Sequence, residues 1–250
     1  MRFRSLIVVT YARSGSTLLQ GVLNTIPGVL IRGENNNFAY SIYKSYQALR
    51  DANGYAFTQD AHNATHPWYG IQDIDFVEYL RTCADLIRNV IVPHDLRDSI
   101  QCHGFKEVRY PYKLDALEAY LAFLRQVMPQ LGVIFNFREH DAVIRSGIRC
   151  GWWKGEAWNA MTTLLGAFEA RATAYKQEHP DDSLIVYYED VVARSRSFRE
   201  LFDFIAADHS ETAISQVLQM THSTRTQDTA IKNDTDAFPD LSSAGQVAGK

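Results

Sequence analysis

Cysteine is scarce in this sequence, and its placement excludes two kinds of scaffold. The three cysteines, Cys83, Cys102 and Cys150, are widely spaced, and no two of them form a C-x-x-C pair. An odd number at such spacings excludes a disulfide framework and a clustered zinc site. The composition therefore indicates a reducing compartment.

The sequence also lacks a long apolar segment near its start and a large excess of one charge. The first apolar run, Leu6–Thr10, is too short for the core of a signal peptide or a membrane anchor. The formal net charge of −4 gives no bulk attraction for nucleic acid. We therefore expect no membrane anchor and no nucleic-acid partner, and any anion-binding site must be local.

Apolar residues make up 46% of the chain, enough for a large core, and they alternate between strand-like and helix-like patterns. This alternation predicts an α/β fold with a mainly parallel central sheet flanked by helices. We expect one domain over residues 1–232 and a flexible or loosely docked tail over 233–250. The predicted strands are Leu6–Thr10, Val29–Ile31, Gly104–Val108, Gly132–Phe137 and Leu184–Tyr188.

A loop of small and hydroxyl residues joins the first strand to an apolar helix. Its backbone N–H groups and the helix N-terminus point at one place, which is typical of a phosphate-binding site. It lacks the leading glycine and the lysine of a Walker A loop, G-x-x-x-x-G-K-S/T, and it is not a Rossmann G-x-G-x-x-G. The candidate anion-binding residues are Arg13, Ser14, Gly15, Ser16, Thr17 and Leu18.

The R-S-G-S-T-L-L form of this loop resembles the 5′-phosphosulfate loop of sulfotransferases that use 3′-phosphoadenosine 5′-phosphosulfate (PAPS). A second motif agrees with this resemblance: Arg138 leaves the fourth predicted strand, and Ser146 follows eight positions later. In that family an arginine and a serine at this spacing hold the 3′-phosphate of the donor. The resemblance implies a P-loop-like three-layer fold, PAPS as the donor, and no metal.

The resemblance also implies catalytic roles for three residues, Arg13, Glu34 and Lys106. Glu34 follows the second strand, where bacterial carbohydrate and glycolipid sulfotransferases place a glutamate that acts as base. The cytosolic small-molecule branch uses a histidine in K-T-H-L-P instead, and Val108 stands at that position here. Since valine cannot accept a proton, we expect Glu34 to be the base, Glu107 the reserve candidate, and Lys106 the contact to the transferring group.

The resemblance further implies a small-molecule or glycoconjugate acceptor, such as a saccharide, glycolipid or glycosylated natural product. Aromatic segments at residues 66–70 and 151–153 are candidates for contacting it, and Ser223–Arg225 is a candidate for covering the adenine. Without the anchor of Golgi relatives, a cytoplasmic location is expected. The sequence leaves the oligomeric state open.

Several alternatives stay open from the residues alone. The enzyme class could be a P-loop kinase-like nucleotide enzyme, or the fold could serve as a non-catalytic carbohydrate-binding protein. Glu34 could be an N-cap or a surface carboxylate before the next helix, and Lys106 could pair with Glu107 or another carboxylate. Further along the chain, Ser197 and Glu200 have the spacing of a capping box.

Overall fold

The computed structural model describes residues 1–58 and 60–220. In these residues it contains five β-strands and nine α-helices. The strands are β1 (Ser5–Thr10), β2 (Val29–Arg32), β3 (Cys102–Glu107), β4 (Leu131–Phe137) and β5 (Ser183–Tyr187). The helices are α1 (Ser16–Leu23), α2 (Phe38–Asn53), α3 (Phe76–Ile91), α4 (Leu117–Val127), α5 (His140–Arg149), α6 (Trp158–Glu178), α7 (Tyr188–Ala193), α8 (Arg196–Ile205) and α9 (Glu211–Gln219).

The strands form one sheet in the order β2-β3-β1-β4-β5, and every pairing is parallel. The predicted fold class is therefore confirmed. Because β1 lies in the middle, the loop that follows it opens at the centre of the carboxyl edge. The turns after β2, β3, β4 and β5 lie along the same edge on either side, where ligands bind in sheets of this kind.

Strand β1 is buried on both faces, and its side chains alternate between two apolar clusters. Ile7 and Val9 belong to the cluster that includes residues of α2, α3, α4 and α6. Leu6 and Val8 belong to the cluster that includes residues of α1, α8 and α9. The molecule thus has three layers, with the sheet between two sets of helices.

The connection between α2 and α3 contains short 3-10 turns at Gly54–Phe57 and Ile71–Asp73. The predicted domain end at 232, the tail 233–250 and the adenine-covering candidate Ser223–Arg225 lie outside the described residues. No helix of the described ranges is long and apolar enough to cross a membrane.

The capping box predicted for α8 is wrong. The Ser197 hydroxyl accepts a hydrogen bond from the Tyr187 N–H, and Glu200 pairs with Arg196 one turn before it. The Asp190 carboxylate instead accepts the Ser197 N–H at 3.1 Å. The helix begins two residues earlier than the spacing suggested, so Ser197 lies inside it.

Candidate active site

A cavity of about 520 Å³ opens at the carboxyl edge of the sheet. It brings together residues that follow all five strands, which are far apart in the sequence. Most of the predicted site residues line it, whereas Ser14 and Ser146 are not among its lining residues. Its lining residues are Ala12, Arg13, Gly15, Ser16, Thr17, Leu18, Glu34, Lys106, Val108, Arg138, Trp152, Tyr188, Val192, Leu218 and Met220.

A larger cavity of about 720 Å³ lies at the opposite, amino-terminal edge. Its lining includes Arg4, Gln101 and Gln130, which immediately precede β1, β3 and β4. None of the predicted site residues lies there. The chemistry suggested by the sequence therefore belongs to the smaller cavity.

The loop after β1 has a backbone suited to an anion. Arg13 (φ 66°) and Gly15 (φ 79°) are left-handed, and Ser14 between them is not. Such alternation points successive N–H groups into one concave site. No side chain in the described part of the chain caps the start of α1, so the helix N-terminus faces the cavity. The buried Ser14 hydroxyl lies 2.8 Å from Thr10 Oγ1 and supports the loop from behind.

Gly15 is required for a second reason, the close approach of an aromatic ring. A Cβ atom at this position would lie 2.1 Å from Cδ2 of Tyr188. The same ring lies under Arg138, whose guanidinium carbon is 4.2 Å from its centroid. Tyr188 therefore joins the anion-binding loop to the cationic wall of the cavity.

Arg13 holds the serine that the resemblance assigned to the 3′-phosphate. Its Nε donates a 2.9 Å hydrogen bond to Ser146 Oγ, and its guanidinium lies 5.1 Å from the centre of the Trp152 ring. The resemblance assigned Ser146 and Arg138 together to the 3′-phosphate, and here the Ser146 hydroxyl is bonded to Arg13. The two arginines nevertheless touch, because Arg138 Nη1 donates to the Arg13 carbonyl at 3.0 Å.

Arg138 has spare hydrogen-bonding capacity at the cavity. Its Nε is buried and has no hydrogen-bond partner among the described residues. A buried, unpaired donor on a cation is costly, and an oxyanion in the cavity would satisfy it. Together with the loop backbone and Arg13, this arrangement fits a ligand carrying more than one phosphate-like group.

The Arg138 backbone is fixed by a tyrosine at the start of the loop. The Tyr11 hydroxyl accepts the Arg138 N–H at 2.7 Å and lies 2.6 Å from Glu169 Oε1 on α6. Burial, and next the facing Glu169 carboxylate, raise the pKa of Tyr11 far above its ordinary value. The phenol therefore stays protonated and donates to Glu169.

Glu34 and Lys106 form an ion pair in the cavity wall. Lys106 Nζ donates to Glu34 Oε1 at 2.7 Å, and the lysine side chain is 4% exposed whereas that of Glu34 is 40% exposed. The carboxylate thus faces the cavity while the lysine lies beneath it. Glu34 is not an N-cap, because Asn35 Oδ1 accepts the Phe38 N–H at the start of α2. Lys106 does pair with a carboxylate, but that carboxylate is Glu34 and not Glu107.

The reserve candidate, Glu107, is almost fully buried and has a different set of partners. It accepts hydrogen bonds from the N–H groups of Asn37 and Val108 and from Arg109. It therefore ties the end of β3 to the start of α2. Val108 itself lines the cavity, so the position that carries histidine in the cytosolic branch faces the site here without a proton acceptor.

Sequence reasoning missed part of the cavity wall. Tyr188 was noted only as part of a strand end, although a tyrosine at the carboxyl end of β5 must lie at the ligand edge. Of the two aromatic segments, Trp152 lines the cavity and Trp153 packs against Gly147 of α5. The segment 66–70 does not contribute to the cavity lining in the described ranges, and its Trp68 stacks on Tyr55.

The fold and the cavity define an α/β protein with a cavity lined by cationic side chains at the carboxyl edge of a parallel sheet. A model of the sulfotransferase family matches residues 5–211, most of the chain. The chain therefore belongs to the sulfotransferase family, and it has the P-loop-like three-layer fold of that family. A search of curated protein sequences finds no match.

Two solved structures are similar in fold. The sulfotransferase domain of the Synechococcus PCC 7002 olefin synthase is 18% identical, with a TM-score of 0.56 over 88% of this chain and 79% of that domain chain. The sulfotransferase domain of the curacin biosynthetic pathway is 17% identical, with a TM-score of 0.55 over 89% of this chain and 80% of the other.

Proposed function

We propose that this sulfotransferase moves a sulfuryl group from PAPS to a hydroxyl of a carbohydrate-containing or natural-product acceptor. One observation carries the proposal: a carboxylate paired with a buried lysine, Glu34 and Lys106, faces the same cavity as two arginines and an uncapped helix N-terminus. The cations suit an anionic donor, and the carboxylate suits the proton of an acceptor hydroxyl.

The donor would bind across the centre of the sheet edge. The backbone of Ser14 to Thr17, with Arg13, would hold the 5′-phosphosulfate, and Arg138 with its buried Nε would take the 3′-phosphate. Ser146 would support this site indirectly. Its hydroxyl accepts a hydrogen bond from Arg13, and Arg138 donates to the Arg13 carbonyl. A nucleotide without a 3′-phosphate would leave Arg138 Nε unsatisfied, which predicts selection against ordinary adenine nucleotides.

The reaction would be an in-line displacement at sulfur. The acceptor oxygen forms a bond to sulfur, its proton goes to Glu34, and the bond between sulfur and the bridging phosphate oxygen breaks. The products are a sulfate ester and 3′,5′-adenosine bisphosphate (PAP). Lys106 would neutralise the sulfuryl oxygens, and Arg13 the charge on the bridging oxygen, so positioning and electrostatics supply most of the catalysis.

The acceptor would lie near Glu34, Val108 and Trp152, where an apolar or ring-shaped face can pack beside a reacting hydroxyl. The two similar domains come from an olefin synthase and from a biosynthetic pathway. This supports testing natural-product alcohols as well as saccharides. A cytoplasmic location stays a prediction.

A transfer assay tests the base. Labelled PAPS is incubated with a panel of saccharides, glycolipids, phenols and natural-product alcohols, using wild type, Glu34→Gln and Glu189→Gln. Loss of a general base lowers kcat by about 10²- to 10⁴-fold. We expect Glu34→Gln to lose activity by this factor and still to bind PAP. Glu189→Gln, a carboxylate after β5 outside the cavity lining, should retain activity. Full activity of Glu34→Gln contradicts the assignment, and PAP binding without transfer to any acceptor favours a non-catalytic binding protein.

A further inference from the structure

The proposed base, Glu34, belongs to a group of four charged side chains, the others being Lys106, Arg109 and Glu107. Lys106 contacts Glu34 Oε1, and Arg109 Nη1 lies 3.8 Å from the other oxygen, Oε2. The same Arg109 nitrogen donates to Glu107 Oε1 at 2.8 Å. The charges of the two carboxylates and the two cations therefore cancel, and Arg109 lies between the carboxylates.

This group is largely shielded from water, so its members influence one another strongly. The side chain of Glu107 is 2% exposed and that of Arg109 is 18% exposed, whereas Glu34 alone opens widely to the cavity. Charges withdrawn from water interact more strongly than surface pairs. A change in the surroundings of Lys106 therefore changes the electrostatic potential at Glu34.

Once a donor is bound, two anionic groups compete for Lys106. Its ammonium is paired with Glu34, and the proposed reaction also needs it at the sulfuryl oxygens. A donor that draws the lysine away weakens its bond to Glu34 and brings a second negative group close to that carboxylate. Without another cation, the base and the donor repel each other.

We propose that Arg109 is a positioning residue that holds Oε2 of Glu34 and balances its charge when Lys106 turns to the donor. The inference rests on the proposed function. Arg109 is anchored for this task by Glu107, which is itself bonded to the backbone of Asn37 and Val108. Its guanidinium has five donors in a rigid fork, so it can keep Glu107 while it closes the 3.8 Å gap to Glu34.

Binding measurements test this role without a known acceptor. Calorimetry gives the affinities of PAP and PAPS, which differ by the sulfuryl group, for wild type, Arg109→Gln and Arg109→Lys. Arg109→Gln should weaken PAPS by about 2- to 5-fold relative to PAP, the scale of one partly exposed charge interaction. Arg109→Lys should restore most of the ratio, because it keeps the cation.

The same substitution in a Glu34→Gln background separates positioning from other roles. Glu34→Gln alone should tighten PAPS relative to PAP, since Lys106 is then free for the donor. Adding Arg109→Gln should leave that ratio unchanged, because no carboxylate remains to be balanced. The predictions for Glu34→Gln alone and for Arg109→Lys can be measured even if Arg109→Gln fails to fold, because both variants keep a cation beside the buried Glu107.

Any other outcome would contradict the inference, and each one has a different explanation. Equal weakening of PAP and PAPS by Arg109→Gln would mean that Arg109 only supports the fold. If Glu34→Gln alone left the PAPS-to-PAP affinity ratio at its wild-type value, Lys106 would not be shared between Glu34 and the donor. A ratio that Arg109→Gln still changes there would mean that Arg109 touches the donor directly. Failure of wild type to bind PAP would instead remove the proposed function itself.

Discussion

At the residue scale, Gly15 has two constraints that a side chain would violate. Its φ of 79° is left-handed, and its open face is filled by the Tyr188 ring. The left-handed conformation alone costs an alanine about 1–2 kcal/mol, and the overlap with the ring adds about 1–3 kcal/mol. We expect Gly15→Ala to be destabilised by both and to bind PAP weakly, because Tyr188 must move away from Arg138.

Gly70→Ala is the matched control for this prediction. Gly70 has a similar φ of 82°, but the nearest atom to a Cβ is the Asp73 carboxylate at 4.0 Å. Urea denaturation of both variants should show only the conformational cost at Gly70. Equal losses of stability at the two positions would contradict the close packing of Tyr188 on the loop.

Tyr11 is a second residue whose effect extends to the cavity. Tyr11→Phe leaves the Arg138 N–H and the Glu169 carboxylate without their partner, which should cost about 1–3 kcal/mol of unfolding free energy. It should also weaken PAP binding, since Arg138 loses its backbone support. The comparison is Tyr43→Phe, whose hydroxyl contacts only the partly exposed Gln47 in the hydrogen bonds described, and whose loss should be smaller. Similar losses in both variants would contradict the bridging role of Tyr11.

The sequence predicted which residues reach the cavity better than it predicted their partners. Arg13, Glu34, Lys106 and Arg138 all line it, because each follows or ends a parallel strand. The bond from Arg13 to Ser146 and the pairing of Lys106 with Glu34 were not predicted. Such contacts depend on side-chain rotamers and on distances between segments, which residue spacing does not contain.

At the scale of elements, the connection from β5 to α8 depends on one carboxylate. Hydrogen bonds from the Ser195 hydroxyl and from Ser197 hold the pKa of Asp190 below its ordinary value. A depressed pKa stabilises the folded state above the unfolded pKa of about 4, and this contribution is lost as the pH falls through the folded pKa. Wild type should therefore exceed Asp190→Asn in unfolding free energy at pH 7, and the difference should shrink below about pH 4.

Urea denaturation of both proteins across this pH range measures the difference. A difference in unfolding free energy that stays constant with pH would show that the Asp190 charge does not contribute.

The same carboxylate explains why the capping box predicted from Ser197 and Glu200 is wrong. The pattern is local, whereas the actual cap comes from Asp190, in the preceding helix α7.

At the scale of the whole molecule, alternation of strands and helices predicted the parallel sheet but not its strand order. Both neighbours of β1, β3 and β4, follow it by many residues, and no local pattern specifies that placement. The order determines that the Glu34 and Arg138 walls lie on opposite sides of the central loop. Consequently the cavity could be expected at the carboxyl edge, but its shape and its aromatic wall could not.

Ligand binding at this central position should stabilise the entire domain. PAP at 100 times its dissociation constant adds about 2.7 kcal/mol to the unfolding free energy, which corresponds to a rise in Tm of about 5–10 °C for a domain of this size. A thermal unfolding series with increasing PAP measures this shift. A Tm that does not depend on PAP concentration would contradict a nucleotide site in the cavity.

The most direct test of the account is calorimetric binding of PAP with ADP and ATP as competitors and no added metal. The account predicts metal-independent binding that strongly prefers the 3′-phosphorylated nucleotide, and this preference should fall in Arg138→Met, which removes the charge on the 3′-phosphate side. Equal or tighter binding of ADP or ATP, especially if magnesium is required, would contradict the sulfuryl-donor site and favour a kinase-like nucleotide enzyme.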